Sequence, residues 1–107
     1  MTAQALSTMA ARNLSPVVIV VGNGLYGYEQ FLIDRTYYEN PSRPPKPYAK
    51  LNPWNYTALA RAMGFTSIFD VGTPATLRAA LTAAKAFNGP SLIAAAVDPR
   101  DLPSALE

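Results

Sequence analysis

A three-layer αβα fold with a small parallel sheet is what this sequence predicts, and three observations carry the prediction. Short aliphatic runs, "VVIVV" at 17–21, "TSIFDV" at 66–71 and "SLIAAAV" at 91–97, have the length and residue types of strands. Segments between and around them place apolar residues at helical spacing. Alternation of the two kinds implies parallel strands joined by right-handed helical crossovers, an α/β layered domain.

The elements follow in order. Ala3, Leu6, Met9 and Ala10 give residues 2–12 one apolar helical face, and Asn13 is a plausible stop. Pro16 introduces Val17–Val21, apolar on both faces, which suits a strand buried inside a parallel sheet. A helix is expected from Tyr26 to about Thr36. Five prolines then fall in "PSRPPKPYAKLNP", so residues 39–53 read as a long proline-rich loop. Asn52-Pro53 offers a cap and first-turn proline for a helix on which Tyr56, Leu59, Ala60 and Met63 repeat, and Gly64 closes it. Thr73-Pro74 is a second cap of the same kind, ahead of Leu77, Ala80, Leu81 and Ala84. Asn88-Gly89-Pro90 ends that helix before the last strand, and "DPRDLPSALE" is a tail. Three strands make a thin sheet whose outer edges need a cover or a partner, so self-association or completion by a further domain is expected.

Composition narrows the function. The chain has 107 residues, half of them apolar and 15% charged, enough for one small domain and too apolar for a disordered tail. Nine Lys and Arg against seven Asp and Glu are scattered without a cluster, so no nucleic-acid surface is expected. Cysteine and histidine are both absent, which removes thiolate metal sites, the usual general base and the commonest transition-metal ligand. Chemistry is left to carboxylates, amides, tyrosines and backbone. No apolar run approaches the roughly 18 residues of a membrane span, and no leader pattern opens the chain, so a soluble, cytoplasmic protein is expected.

One stretch stands out, "VVIVVGNGLYGYEQF". Asn23-Gly24 is a strong hairpin signal. A hairpin, however, needs a second alternating strand at once, and "LYGYEQFLIDR" has none. The better geometry is a loop at the C-terminal end of a parallel strand, where open α/β sheets bind ligands. Glycines at 22, 24 and 27 would let the backbone approach a ligand closely. The spacing is not that of a Walker loop and only loosely that of a dinucleotide fingerprint.

Together with "MTAQALSTMAARNLSP", "YAKLNPWNYTALARAMGF" and "GPSLIAAAVDP", this stretch resembles the C-terminal diphosphate-binding domain of thiamine diphosphate-dependent 2-keto acid decarboxylases. Pyruvate, indolepyruvate, phenylpyruvate and benzoylformate decarboxylases are the members it is most similar to, with acetolactate synthase more distant. The likeness covers almost the whole chain and weakens in the proline-rich segment. It implies a partial thiamine diphosphate-binding fold and, for a parent enzyme, non-oxidative loss of CO₂ from a 2-keto acid or carboligation. It also implies the cofactors thiamine diphosphate and Mg²⁺. Family members build each active site across two subunits, so the resemblance implies a homo-oligomer.

Residue by residue, Asn23 matches the second asparagine of the family's metal-binding Asn-Asn pair, and Gly22 stands where the first would be. Asn23 would give its amide oxygen to Mg²⁺, a hard cation that takes oxygen donors in an octahedron. Leu25 matches the position that supplies a backbone carbonyl to the same ion. Gly24, Tyr26 and Gly27 match a loop lying along the diphosphate. Glu29 matches the glutamate that pyruvate and indolepyruvate decarboxylases place near the reactive carbon, where it assists decarboxylation and proton transfer. Enclosing a carboxyl disfavours its charged form, the usual route by which such a group becomes an acid near neutral pH. On the residues alone, Glu29 reads equally as a first-turn helix glutamate favoured by the macrodipole, and Asn23 as a turn asparagine.

The Gly-Asp-Gly half of the family's metal clamp is expected to fall just ahead of Met1, so the 107 residues by themselves are expected to be inactive. Ala5 replaces the glutamate usual in the family's "TAQE". Trp54 reads as a core or interface aromatic. Asp34, Glu39, Asp70, Asp98 and Asp101 show no metal-ligand spacing. The alternative function is a non-catalytic binding or assembly module that keeps the fold, docking through its sheet edge or through the P-x-x-P element of "RPPKPY". Tyr37, Tyr38 and Tyr48 flank that loop and are expected to pack it down.

Overall fold

The computed structural model describes residues 3–106. The chain divides into two compact units, Met1–Gly22 with Asn55–Ala96, and Asn23–Trp54 with Val97–Glu107.

The first unit is the layered α/β part. Its elements are α1 (Gln4–Ala11), β1 (Val17–Gly22), α4 (Tyr56–Ala62), β2 (Ser67–Val71), α5 (Pro74–Ala86) and β3 (Ser91–Ala96). The sheet is parallel throughout, in the order β1-β3-β2. Alternation along β3 sends Leu92 to one face and Ile93 to the other. Leu92 packs with Leu6 of α1, Ala60 of α4 and Phe65, while Ile93 packs with Val71 and with Ala80 and Ala84 of α5. Helices therefore cover both faces, as the sequence predicts. At the starts of β2 and β3, in register, the buried Ser91 hydroxyl lies 2.7 Å from that of Ser67.

Local signals account for most helix ends. Asn13 takes a φ of 47°, and the Leu14 and Asn13 N–H groups donate back to Met9 and Ala10, a Schellman turn that stops α1. Gly64 and Phe65 end α4 in the same way. Thr73 and Thr76 form a reciprocal capping box at the start of α5, with Pro74 in the first turn.

Two expectations about this layered unit need correction. The cap of α4 is Asn55, whose Oδ1 accepts the Ala58 N–H at 3.0 Å, and not Asn52. Asn55 directly precedes the apolar repeat, whereas a start at Pro53 would add a turn with no apolar partner. Nor is β1 buried inside the sheet: it is an outer strand, with Ile19 46% and Val21 66% exposed. The side chains of Val18 and Val20 pack on the Leu92 side, and α5 lies against β3 and β2 more than β1. The apolar run is real, but half of it is left uncovered among the described residues.

The second unit holds α2 (Gly27–Ile33), the short α3 (Thr36–Glu39) and 3₁₀ turns at Pro47–Ala49 and Ser104–Leu106. The single helix expected from Tyr26 to Thr36 is interrupted because Asp34 leaves the helical region, at φ −145° and ψ 85°, and its carboxylate accepts the Thr36 hydroxyl. Such a local side-chain bond competes with helix continuation. Trp54, expected in a core or interface, is 60% exposed in the extended segment before α4. Of the three tyrosines flanking the proline-rich loop, Tyr37 is buried, Tyr38 is half-buried and Tyr48 is exposed. Among the described residues no helix is long and apolar enough to cross a membrane.

Candidate functional site

Register pairs Gly22, the last residue of β1, with Ala96 of β3, and the chain then runs through Asn23–Tyr26 into α2. Asn23 bends back on this loop, its Oδ1 accepting the Leu25 N–H at 3.1 Å, an Asx turn that fixes the amide. Gly24 has a φ of 73°, a conformation in which a side chain would be strained.

The loop is stapled to the end of the proline-rich segment. Leu25 and Lys50 form an isolated antiparallel bridge. The Tyr26 N–H donates to the Ala49 carbonyl at 2.8 Å, and the Leu51 N–H to that of Gly24 at 2.9 Å. Both bonds flank Leu25, which makes Leu25–Lys50 a non-hydrogen-bonded pair, so the Leu25 N–H and C=O face away from Lys50. The N–H is satisfied by Asn23, whereas among the described residues no donor is paired with the Leu25 carbonyl. Its side chain is buried, which anchors the carbonyl's position.

Gly27 begins α2 in a confined place. A Cβ there would lie 3.3 Å from Asn23 Nδ2 and 3.8 Å from the Tyr38 hydroxyl, which donates to the Gly27 carbonyl at 2.9 Å. Desolvation raises the Tyr38 pKa above 10.0; Tyr37 adds to the shift and Arg100 opposes it. The phenol therefore keeps its proton, and its donor role, at neutral pH.

A polar network supports α2 from behind. Gln30 is fully buried, its Oε1 accepting the Lys46 N–H at 2.7 Å and its Nε2 donating to the Asp34 carbonyl at 3.1 Å. The Asp34 carboxylate takes the Thr36 hydroxyl and Arg43 Nε, the latter at 2.7 Å, and these two bonds hold its pKa below 3.8. No spacing rule marks Gln30 in the sequence, because Lys46 lies 16 residues away.

The residues predicted to form the site are thus placed unevenly. Asn23, Gly24, Leu25, Tyr26 and Gly27 make one stapled loop, whereas Glu29 and Tyr26 present exposed side chains. Glu29 sits in the first turn of α2, where the macrodipole favours a carboxylate. Among the described residues no three His, Cys, Asp or Glu side chains come together to hold a metal. The loop's oxygen donors include Asn23 Oδ1 and the Leu25 carbonyl, hard ligands of the kind Mg²⁺ takes. An amide oxygen has two lone pairs, so Asn23 can accept the Leu25 N–H and still bind a cation. An octahedron needs further oxygens, which a diphosphate and water can supply.

Residues 1–95 match the family described as thiamine pyrophosphate enzyme, C-terminal TPP binding domain. This chain belongs to that family. Among curated proteins, the alpha-keto-acid decarboxylases of Mycobacterium tuberculosis and Mycobacterium bovis are similar to it, 33% identical over 102 residues. That overlap is 94% of this chain and 17% of each relative. The alpha-keto-acid decarboxylase of Mycolicibacterium paratuberculosis is also 33% identical, over 94% of this chain and 16% of its own length. The chain therefore spans about a sixth of the length of these relatives. The small parallel sheet covered by helices is consistent with the α/β TPP-binding domain expected from the sequence.

Proposed function

We propose that the Asn23–Gly27 loop is one half of a Mg²⁺–thiamine diphosphate site in a 2-keto acid decarboxylase or carboligase. One observation carries the reading: the Asn23 amide is fixed by the Leu25 N–H, while the Leu25 carbonyl beside it faces away from Lys50 with no donor among the described residues. A carbonyl oxygen left unpaired on an anchored residue suits a cation ligand. In this reading Asn23 Oδ1 and the Leu25 oxygen would hold Mg²⁺, and the backbone of Gly22, Gly24, Tyr26 and Gly27 would contact the diphosphate. The free cation-binding capacity of the loop is oxygen only, which fits Mg²⁺ and disfavours softer metals.

Thiamine diphosphate, when bound, would supply a carbon nucleophile for the keto carbon and a cationic ring able to take up the electron pair left when CO₂ departs from a 2-keto acid. Glu29, whose side chain is exposed in this unit, would take the proton-transfer role if a further domain encloses it beside the cofactor. Two oxygen ligands are too few to fix Mg²⁺ without further donors, so the 107 residues alone are inactive, and the active unit is a homo-oligomer or is completed by another domain.

Isothermal titration of the chain with thiamine diphosphate and Mg²⁺ tests the reading. Expected is Mg²⁺-dependent heat that disappears in Asn23→Ala. Heat that persists in the variant refutes the assignment of Asn23, and silence from the wild-type chain favours the alternative, a non-catalytic binding or assembly module.

A further inference from the structure

Arg100 lies in the segment after β3, beyond residues 1–95 that match the family. Asp98 shapes its backbone, Oδ1 accepting the Arg100 N–H at 2.8 Å and the carbonyl accepting the Asp101 N–H at 3.1 Å. The guanidinium then serves four backbone carbonyls within residues 37–43. Nη1 donates to Tyr37 and, at 3.4 Å, to Asn40; Nη2 donates to Pro41 at 3.1 Å and to Arg43 at 2.8 Å. Its carbon also lies 3.8 Å above the centre of the Tyr37 ring, a cation–π contact. A planar fork can meet four carbonyls and stack at once, and a lysine ammonium cannot.

The residues so fastened lead to the loop by two routes. Tyr38 packs edge-on against Tyr37, with ring centres 4.9 Å apart, and gives its hydroxyl to the Gly27 carbonyl. Arg43 gives Nε to Asp34, whose own carbonyl takes the Gln30 amide, and Gln30 in turn holds Lys46. From these contacts we infer that Arg100 is a positioning residue: by fastening the carbonyls of Tyr37, Asn40, Pro41 and Arg43 it sets the Tyr38 hydroxyl on Gly27 and holds the Asn23–Gly27 loop in its receiving shape. That the loop receives a diphosphate rests on the reading above; that Arg100 holds it does not.

Amide hydrogen exchange on the full chain without cofactor decides the matter. The Tyr26 and Leu51 amides report the staple at the loop, and those of Ile93 and Ala94 in β3 serve as references. In Arg100→Gln the first pair should exchange roughly tenfold faster, as loss of several charge-assisted bonds implies, with the references unchanged. Arg100→Lys should not restore protection, which separates the fork geometry from mere positive charge. Faster exchange confined to Asn40 and Arg43, with Tyr26 and Leu51 at wild-type rates, overturns the inference. Should Arg100→Gln unfold the second unit, Tyr38→Phe decides, since it deletes one hydroxyl and leaves the Arg100 contacts in place. Faster Tyr26 exchange in that variant supports the chain of contacts, and an unchanged rate overturns it. Thiamine diphosphate affinity in Mg²⁺ should weaken in parallel. A wild-type chain silent to the cofactor would refute the diphosphate reading, and the exchange rates would still settle the role of Arg100.

Discussion

Replacing Gly27 by alanine sets stability and ligand binding against each other. A Cβ at this position meets Asn23 Nδ2 at 3.3 Å and the Tyr38 oxygen at 3.8 Å. The first distance is inside the 3.5–4.0 Å at which such atoms attract, so the amide must yield by a few tenths of an ångström. Turning aside weakens its bond to the Leu25 N–H, worth about 1 kcal/mol. Alanine meanwhile suits the first turn of α2 and restricts the unfolded chain, a gain of about 0.4–1 kcal/mol. The two effects nearly cancel, and urea unfolding should place Gly27→Ala within about 0.5 kcal/mol of wild type. Binding has no such compensation. Disturbing the group that orients a metal ligand typically costs 10–100-fold, so Mg²⁺-dependent thiamine diphosphate affinity should fall by about tenfold. Affinity equal to wild type would refute the argument that the Asn23 amide is held in a working orientation. A stability loss above about 2 kcal/mol would refute the argument that the Asn23 side chain can yield.

Two further outcomes follow from the geometry. The Asp34 carboxyl has its folded-state pKa lowered by Thr36 and Arg43, so its stabilisation is complete above the unfolded value near 3.8 and is lost as pH falls through the folded one. Protection of the Asn40 amide, which donates to Thr36, should therefore drop as wild-type protein is acidified below 3.8, and Asp34→Asn should flatten that dependence; parallel curves in the two proteins would exclude Asp34 as the titrating group. Val21 is 66% exposed on an outer strand, so Val21→Lys should leave stability within about 0.5 kcal/mol and abolish self-association through the open edge. Sedimentation velocity checks this, and a strictly monomeric wild type would contradict it.

Much of the layered unit was legible because its signals are local. The Thr73-Pro74 cap, the Asn13 stop and the repeat of Leu77, Ala80, Leu81 and Ala84 depend only on near neighbours. Asn52 and Asn55 both offer a capping oxygen, and the sequence favours Asn52 only through the proline beside it; the start of the apolar repeat decides for Asn55. Composition shows that Val17–Val21 is apolar on both faces, but coverage of those faces depends on what lies alongside, which β1 itself does not encode. The same limit governs the loop. Its own residues, Asn23–Gly27, carry a recognisable pattern, whereas the bonds that hold it come from Ala49, Leu51 and Tyr38, and Arg100 secures Tyr37, residues joined to it only through tertiary structure. Gln30 is the plainest case: a polar residue inside a helix, wholly buried, whose backbone partner stands 16 residues on.

The paired hydroxyls of Ser67 and Ser91 bear on how this sheet can change over evolutionary time. Both side chains are buried and each satisfies the other across neighbouring strands. Converting one serine to alanine strands a hydroxyl out of water, at a cost of about 1–3 kcal/mol, while converting both can be nearly neutral. Two positions 24 residues apart thus behave as one under substitution, and the path from a serine pair to an apolar pair runs through a destabilised intermediate.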